Sequence, residues 1–189
     1  PAPTVSDLTD NLGSFMFVNA LPLGADYVIA PEKDDNPLNG VTTYDLVLIS
    51  KHILGIEPFD SPYKMIAADA NKSGSITSFD IVEFRKLILG IYSEMPSNTS
   101  WRFVDKYYTF PNLLNPFQEL FPEAKSVQDM QMANLNDDFV GVKIGDVNNS
   151  VVPNSLVGAD DRSLGTIYFD ADDRNVKAGE IVEVKMTAS

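Results

Sequence analysis

Side chains that carry oxygen recur at short intervals in residues 69–80. Counted from Asp69, they stand at positions 1, 3, 5, 9 and 12, with glycine at position 6 and an aliphatic residue at position 8. A hard cation such as Ca²⁺ takes about six to eight oxygens, and a twelve-residue loop of the EF-hand type supplies them at this spacing. The stretch therefore predicts a Ca²⁺ site whose candidate ligands are Asp69, Asn71, Ser73, Ser75, Thr77 and Asp80.

The other positions of this stretch suit such a loop. Gly74 permits the sharp turn, Ser75 offers its backbone carbonyl, and Ile76 anchors the loop to a partner. Asp80 stands in the first turn of the following helix, where negative charge is favourable. EF-hands have Glu at this last position, so the shorter Asp requires the helix to approach the ion more closely. The alternative is a turn rich in Asp, Asn and Ser that leads into a helix N-cap without any metal.

A second, less regular stretch of the same kind covers residues 34–45. Oxygen-bearing residues stand at positions 1, 3 and 12, but Leu38 occupies position 5. Either Asn39 supplies the missing ligand, or a shortened loop begins at Asp35. This site is expected to bind Ca²⁺ more weakly than the other loop, or to be only a structural turn. Its candidate ligands are Asp34, Asn36, Asn39 and Asp45.

Both stretches lead into copies of one helical segment. Residues 42–56 and 77–91 align at an offset of 35, and eight of the fifteen positions are identical. Each copy has apolar residues at helical spacing, followed by Gly55 or Gly90 where a left-handed helix stop belongs. The repeat therefore predicts two amphipathic helices that pack against each other, because each supplies the surface that the other must bury.

Paired loops of the form D-x-N-x-[DS]-G-x-[IV]-x-x-x-D, each followed by a helix that ends in Leu-Gly, resemble a type I dockerin module. The resemblance covers about residues 31–92 and implies a largely helical module with two Ca²⁺ ions that binds a cohesin domain. It also implies a secreted or cell-surface bacterial protein. Dockerins commonly use the helix positions of Ser50, Lys51, Arg85 and Lys86 for partner contact, and a solvated helix face is the alternative.

Residues 1–30 are predicted to be the last strands of a β-sandwich, with strands over 14–18 and 27–29. The part from Gly13 to Pro31 resembles the end of a Cna-B-like or carboxypeptidase-regulatory-like domain. The first residues lack the basic start and apolar core of a signal peptide. We therefore expect the chain to be a piece of a larger protein.

Polar turn formers make residues 151–162 a predicted linker. Residues 163–189 resemble the opening of a cohesin-like β domain that is cut short, with strands predicted at 166–169 and 181–186.

Residues 93–150 are predicted to be an accessory region packed on the repeat. Alternation of apolar and polar residues predicts strands over 101–104 and 106–110, whereas residues 139–147 are compatible with either a strand or a helix. The aromatic residues here, such as Trp101, are expected in the core, with a sugar-stacking platform as the alternative. The predicted fold class is thus α+β, a small helical Ca²⁺-binding pair with flanking β-strand segments.

Composition excludes several classes of function. The chain of 189 residues has 14 Lys and Arg against 27 Asp and Glu, a formal net charge of −13, one His and no Cys. Nucleic acid is an improbable partner because phosphate binding needs clustered basic residues. The lack of cysteine excludes disulfides, thiol chemistry and zinc ribbons. No apolar run approaches the ~20 residues of a membrane span, so no membrane insertion is expected.

No nucleophile elbow, P-loop, zincin helix or dinucleotide loop is present, so we expect no enzyme activity. His52 stands where the second copy has Leu87 and is expected to be a packing or surface residue. The leading hypothesis is a non-catalytic, Ca²⁺-stabilised connector of a large secreted or cell-surface protein, bound to neighbouring β domains of its own chain. The alternatives are a dockerin that binds a cohesin in trans and the appendage of a secreted carbohydrate-active enzyme. Adhesion or polysaccharide binding by the parent protein fits the same setting.

Overall fold

A computed structural model describes residues 5–17, 21–131 and 137–153, together with two short strands nearer the carboxyl end. Within this part of the chain there are three short helices and three antiparallel strand pairs. The predicted α+β class is therefore confirmed.

The chain divides into two units, residues 1–159 and residues 160–189. In the second unit, β5 (Phe169–Asp170) pairs antiparallel with β6 (Thr187–Ala188). Of the strand predicted at 166–169 only residue 169 is described, and the strand predicted at 181–186 and the linker from residue 154 onward lie outside the described residues.

The two repeat helices are α1 (Thr43–Ile53) and α3 (Ser78–Ile88), which begin and end at equivalent positions of the two copies. Each begins with a capping box, in which a Thr side chain accepts a backbone N–H and an Asp three residues later bonds the backbone of that Thr. Each ends before a glycine with positive φ, 68° at Gly55 and 70° at Gly90. The helices contact each other, as the repeat predicted.

A third helix, α2 (Pro62–Ala68), lies between them and was not predicted. Its seven residues are too few for a helical period to stand out. A Ser-Pro pair marks its start, with Ser61 at the N-cap and Pro62 in the first turn, which is a known helix signal. Met65 and Ile66 are buried, and the helix ends directly before Asp69. This helix therefore holds the start of the predicted metal loop against the core.

The described strands of the first unit form two separate pairs. β1 (Tyr27–Ile29) pairs with β3 (Lys125–Val127), and β2 (Trp101–Asp105) pairs with β4 (Phe139–Lys143). The strands predicted at 27–29 and 101–104 are confirmed. The open choice for residues 139–147 is also resolved, because a strand ends at Lys143 and Gly145 then turns the chain at a φ of 91°.

Two other strand predictions are wrong, and side-chain bonds of Asp explain both. After β2, the Asp105 carboxylate and carbonyl accept from Tyr107 and Tyr108, so the chain turns where a strand over 106–110 was expected. Residues 14–17 are irregular, and Asp10 accepts from the backbone N–H of Ser14 at 2.9 Å. Such local bonds compete with strand pairing.

One buried apolar cluster joins the helices to the region that follows them. Phe84 at its centre is fully buried, and residues 95–147 contribute to the same cluster as the repeat helices. The main members are Val41, Leu46, Ile49, Phe59, Met65, Ile66, Phe84, Leu87, Met95, Val104, Phe110, Val142, Ile144 and Val147. This cluster fixes where the two loop stretches lie. Among the residues described, no helix is long and apolar enough to cross a membrane.

Candidate metal centre

The loop of residues 69–80 is organised around the carboxylate of Asp69. Its Oδ1 accepts from the N–H of Ser73 at 2.9 Å, and its Oδ2 accepts from the N–H of Gly74 at 2.8 Å. The Ser73 hydroxyl lies 3.2 Å from the carbonyl oxygen of Ser75. Gly74 has a φ of 75° and Lys72 a φ of 57°, so the loop curls back around Asp69. Positions 1, 5 and 7 are thereby brought together, as the spacing predicted.

Asp80 closes this loop from the other side. Its Oδ1 accepts from the N–H of Ala70 at 2.9 Å, and its Oδ2 accepts from the N–H of Thr77 at 2.8 Å. The Thr77 hydroxyl lies 3.2 Å from the same Oδ2. One carboxylate thus joins the start of the loop to the start of α3. The Asn71 side chain accepts from the N–H of Ser73 at 3.1 Å and faces the same turn.

The two carboxylates of this loop are buried without a counter-charge. Asp69 is 1% exposed and Asp80 is 0% exposed. Burial raises the pKa of the Asp80 carboxyl above its ordinary value, and the charge of Asp69 raises it further. None of the ion pairs among the described residues involves either side chain. Buried charges are costly unless they are paired or bind a metal, so this donor set fits a cation.

The loop is covered by residues from the segments before and after β2. The Lys72 ammonium lies 3.6 Å from the Glu123 carboxylate, which also bonds the buried Arg102. A Cβ at Gly74 would lie 3.6 Å from the side chain of Phe117. The Asn98 side chain donates to the carbonyl of Asp69 at 2.9 Å. These contacts hold the loop in place from outside the repeat.

The candidate ligands of the first stretch have different surroundings. Asp34 is exposed, and its Oδ1 accepts from the N–H of Ser100 at 2.7 Å. Asn36 has a φ of 46°, and its carbonyl accepts from the N–H of Asn39. The Asn39 side chain donates to the Val152 carbonyl at 2.8 Å. None of these three side chains repeats the bonds that Asp69 or Asn71 makes.

Asp45, by contrast, repeats the role of Asp80. Its Oδ2 accepts from the N–H of Thr42 at 2.9 Å, and its side chain is 0% exposed. Its Oδ1 accepts at 3.0 Å from the N–H of Val147, a residue 102 positions further along the chain. Asp146 directly precedes Val147, which donates to Asp45. In the loop of residues 69–80, Asp69 likewise precedes Ala70, which donates to Asp80.

Residues 146–150 lie beside Asp45 and were not predicted from the sequence as candidate ligands. Asp146, Asn148 and Ser150 have the D-x-N-x-S spacing of Asp69, Asn71 and Ser73. That similarity was the available signal, but no further copy of the repeat segment follows it in the sequence. Asp146 Oδ1 accepts from Ser150 at 3.1 Å and Oδ2 accepts from Val151 at 2.8 Å, as Asp69 does four and five residues ahead.

Within the described chain, no three His, Cys, Asp or Glu side chains cluster as a metal-binding group. The loop of residues 69–80 pairs two carboxylates with amide, hydroxyl and carbonyl oxygens instead. Such mixed oxygen sets suit Ca²⁺, which accepts neutral oxygens readily, and do not suit zinc.

The other singled-out residues have structural surroundings. His52 stacks on Phe59 with ring centroids 4.5 Å apart, and its Nδ1 accepts from the Phe59 N–H at 2.9 Å. Burial lowers the pKa of His52. Trp101 is buried at the start of β2, as expected of a core residue. Lys51 pairs with Glu57 and Lys86 with Glu83, both on partly exposed helix surface.

A family model for the dockerin type I domain matches residues 35–89. The dockerin resemblance of the repeat is therefore confirmed for that part of the chain. Dockerin type I domains are calcium-binding, non-catalytic interaction modules. No curated protein and no solved structure matches the chain.

Proposed function

We propose that this chain contains a Ca²⁺-stabilised, non-catalytic dockerin-like module that docks a cohesin-type domain in a large secreted or cell-surface bacterial protein. The observation that carries the proposal is the loop of residues 69–80, where two buried carboxylates meet neutral oxygens inside the dockerin match. The Cna-B-like and cohesin-like flanking domains belong to the same proposal.

A bound Ca²⁺ supplies the positive charge that the buried carboxylates otherwise lack. Asp69, Asn71, Ser73 and Asp80 hold the ion through their side chains, Ser75 presents its carbonyl, and Thr77 lies at the helix start. Since only the folded chain gathers these oxygens, the ion stabilises the fold by mass action. The module is then folded and rigid in a calcium-rich extracellular medium.

The docking face consists of exposed apolar residues at equivalent positions of the two repeats. Tyr44 is 59% exposed and its counterpart Phe79 is 72% exposed. Isolated exposed apolar residues are ordinary, but a set that recurs at the same offset in both copies indicates an interaction surface. The remaining pairs of this face, all exposed, are Val47 and Val82, Leu54 and Leu89, and Ile56 and Ile91.

A connector role within one chain is the second candidate. Strand β1 on the amino-terminal side of the repeat pairs with β3 on its carboxyl-terminal side. The Ser100 N–H donates to Asp34, and Gly145 donates to the Ala67 carbonyl at 2.8 Å. The module is thus bonded to the sequence that follows it, and the strand that precedes it pairs with that same following sequence, which suits a rigid spacer between neighbouring β domains.

Titration of a type I cohesin domain into the full chain tests calcium and docking together. We expect binding and a raised melting temperature in excess Ca²⁺, and loss of both in EDTA. Tyr44→Glu with Phe79→Glu places acid in the first helix turns, where it does not weaken the helix, and is expected to lower cohesin affinity at least about tenfold, or about 1.4 kcal/mol.

Leu120→Glu is the matched control, because Leu120 is fully exposed outside this face. Identical melting curves with Ca²⁺ and EDTA would contradict the calcium proposal. A calcium-dependent melt without cohesin binding would leave the calcium part standing and favour the connector role.

A further inference from the structure

Two segments that lie about a hundred residues apart meet to form a second loop of the calcium type. We propose that residues 146–151 and residues 40–45 together build a split Ca²⁺ site, with Asp146 in the first position and Asp45 in the last. The inference rests on the calcium binding proposed above, and it replaces the contiguous loop of residues 34–45 as the location of the second ion.

The first half of the split loop has the backbone of the contiguous one. Asn149 has a φ of 60°, and Lys72 at the same position of the other loop has a φ of 57°. The carboxylate of Asp146 accepts the N–H groups four and five residues ahead, as that of Asp69 does. The match therefore includes conformation and bonding as well as residue type.

The two halves meet at the place where the contiguous loop of residues 69–80 passes through Gly74. The Ser150 hydroxyl donates to the Gly40 carbonyl at 3.0 Å, as the Ser73 hydroxyl contacts the Ser75 carbonyl. The Gly40 carbonyl thus takes the seventh position of the loop, where a backbone oxygen ligates the ion. A Cβ at Gly40 would lie 2.8 Å from the backbone of Val151, and the φ there is 78°. Only glycine permits this junction.

The second half closes the loop as Asp80 does. The Val147 N–H donates to Asp45 at 3.0 Å, and the Ala70 N–H donates to Asp80 at 2.9 Å. Thr42, like Thr77, is the N-cap of the helix that follows. The ligand set is accordingly the side chains of Asp146, Asn148, Ser150 and Asp45, the carbonyl of Gly40, and Thr42 at the helix start.

Charge points to a cation at this place, independently of the loop pattern. Asp45 is 0% exposed and Asp146 is 4% exposed. Neither carboxylate takes part in an ion pair among the described residues. The nearby Lys143 is buried, but its ammonium donates to the Pro37 carbonyl at 2.8 Å. The charge of Lys143 acts on Asp146 without forming an ion pair, so two buried negative charges exceed the single positive charge nearby, and a divalent ion would balance them.

Asp34 fits the ion less well than Asp146 does. Its side chain is exposed, and one oxygen accepts from Ser100 instead of from a loop N–H. Asp34 and Asp146 are both acidic residues outside the repeat helices, so the pair offers a matched comparison by the same substitution.

Calorimetric titration of the full chain with Ca²⁺ tests the split site. We expect two ions for the unchanged chain, one for Asp146→Asn, one for Asp69→Asn, none for the double variant, and two for Asp34→Asn. Asparagine keeps the size of each side chain and removes its charge. Far-UV circular dichroism and the fluorescence of Trp101, the single tryptophan, check that each variant is folded.

The possible outcomes separate the two proposals. Two ions in Asp146→Asn, or one ion in Asp34→Asn, would overturn the split site. One ion in the unchanged chain, lost only in Asp69→Asn, would also overturn it and leave the loop of residues 69–80 intact. No binding at all would refute calcium binding itself. If Asp146→Asn does not fold, Asn148→Ala and Ser150→Ala decide, and each must weaken one of the two binding steps.

Discussion

At the scale of single residues, the position-12 aspartates have two tasks. Asp45 and Asp80 each complete a capping box and each accept an N–H from the start of a loop. The sequence predicted from spacing that both residues are Ca²⁺ ligands, which stays a prediction. It did not predict Asp146, because the spacing of an oxygen donor does not reveal which distant helix it meets.

His52 carries a residue-scale prediction that needs no assignment, since the chain has one histidine. Its pKa is expected below the ordinary value of 6.5 because burial disfavours the charged ring. The folded state then binds the proton more weakly than the unfolded state does. Its contribution to stability is therefore complete above the unfolded pKa and is lost as pH falls through the folded pKa.

Proton NMR of the His52 ring over a pH series measures the folded value, and the same chain in urea supplies the unfolded reference. The bond from the Phe59 N–H to Nδ1 favours a neutral ring, because a protonated Nδ1 cannot accept it. A folded pKa at or above the value in urea would show that the ring is solvated.

At the scale of elements, the sequence predicted both repeated helices and two of the strands, and it missed other elements that occur once. Helices α1 and α3 were predicted because two aligned copies share apolar spacing and a glycine stop. Helix α2 has one turn signal and no helical period in its sequence. The turn after β2 was missed because the aromatic residues there alternate with polar ones, as in a strand. Strand β4 was ambiguous because a short apolar run suits either element. Pairing with β2 decided it, and pairing depends on contacts that a local pattern does not contain.

Substitution of two glycines tests how closely the chain after β4 packs against the repeat. Gly145 and Gly55 both have positive φ, but a Cβ at Gly145 would lie 2.9 Å from Val41 and 3.0 Å from Phe84, whereas nothing lies within 4 Å at Gly55. Gly55→Ala is expected to cost about 1–2 kcal/mol from backbone strain alone. Gly145→Ala adds an overpacking cost of about 1–3 kcal/mol.

Urea unfolding of the full chain in EDTA measures both costs without a contribution from the ion. Equal losses of unfolding free energy in the two variants would mean that the side chains of Val41 and Phe84 move to accommodate the added methyl group. The close packing at Gly145 would then contribute nothing to stability.

At the scale of the whole molecule, the net negative charge opposes the burial of acidic side chains. The net charge is −13, yet four of the acidic side chains are buried in the two loops. Two Ca²⁺ ions would bring the charge to −13 + 4 = −9. The spacing of oxygen-bearing residues and the repeat located one loop from the sequence. The proposed split loop, built from residues 146–151 and 40–45, forms only when the region after the repeat is folded against the repeat.

The region of residues 93–150 is therefore expected to be necessary for the stability of the repeat, because it supplies part of one core. Met95, Val104, Phe110 and Ile144 lie in the same buried cluster as Phe84. Each buried apolar side chain of this size contributes about 1.5–3 kcal/mol. A chain that ends after Tyr92 loses these contacts, whereas one that ends after Pro153 keeps them. Thermal melting and light scattering in EDTA, which separates packing from ion binding, should show a lower melting temperature or aggregation only for the shorter chain. A cooperative melt of that chain at the temperature of the longer one would establish the repeat as an independent domain.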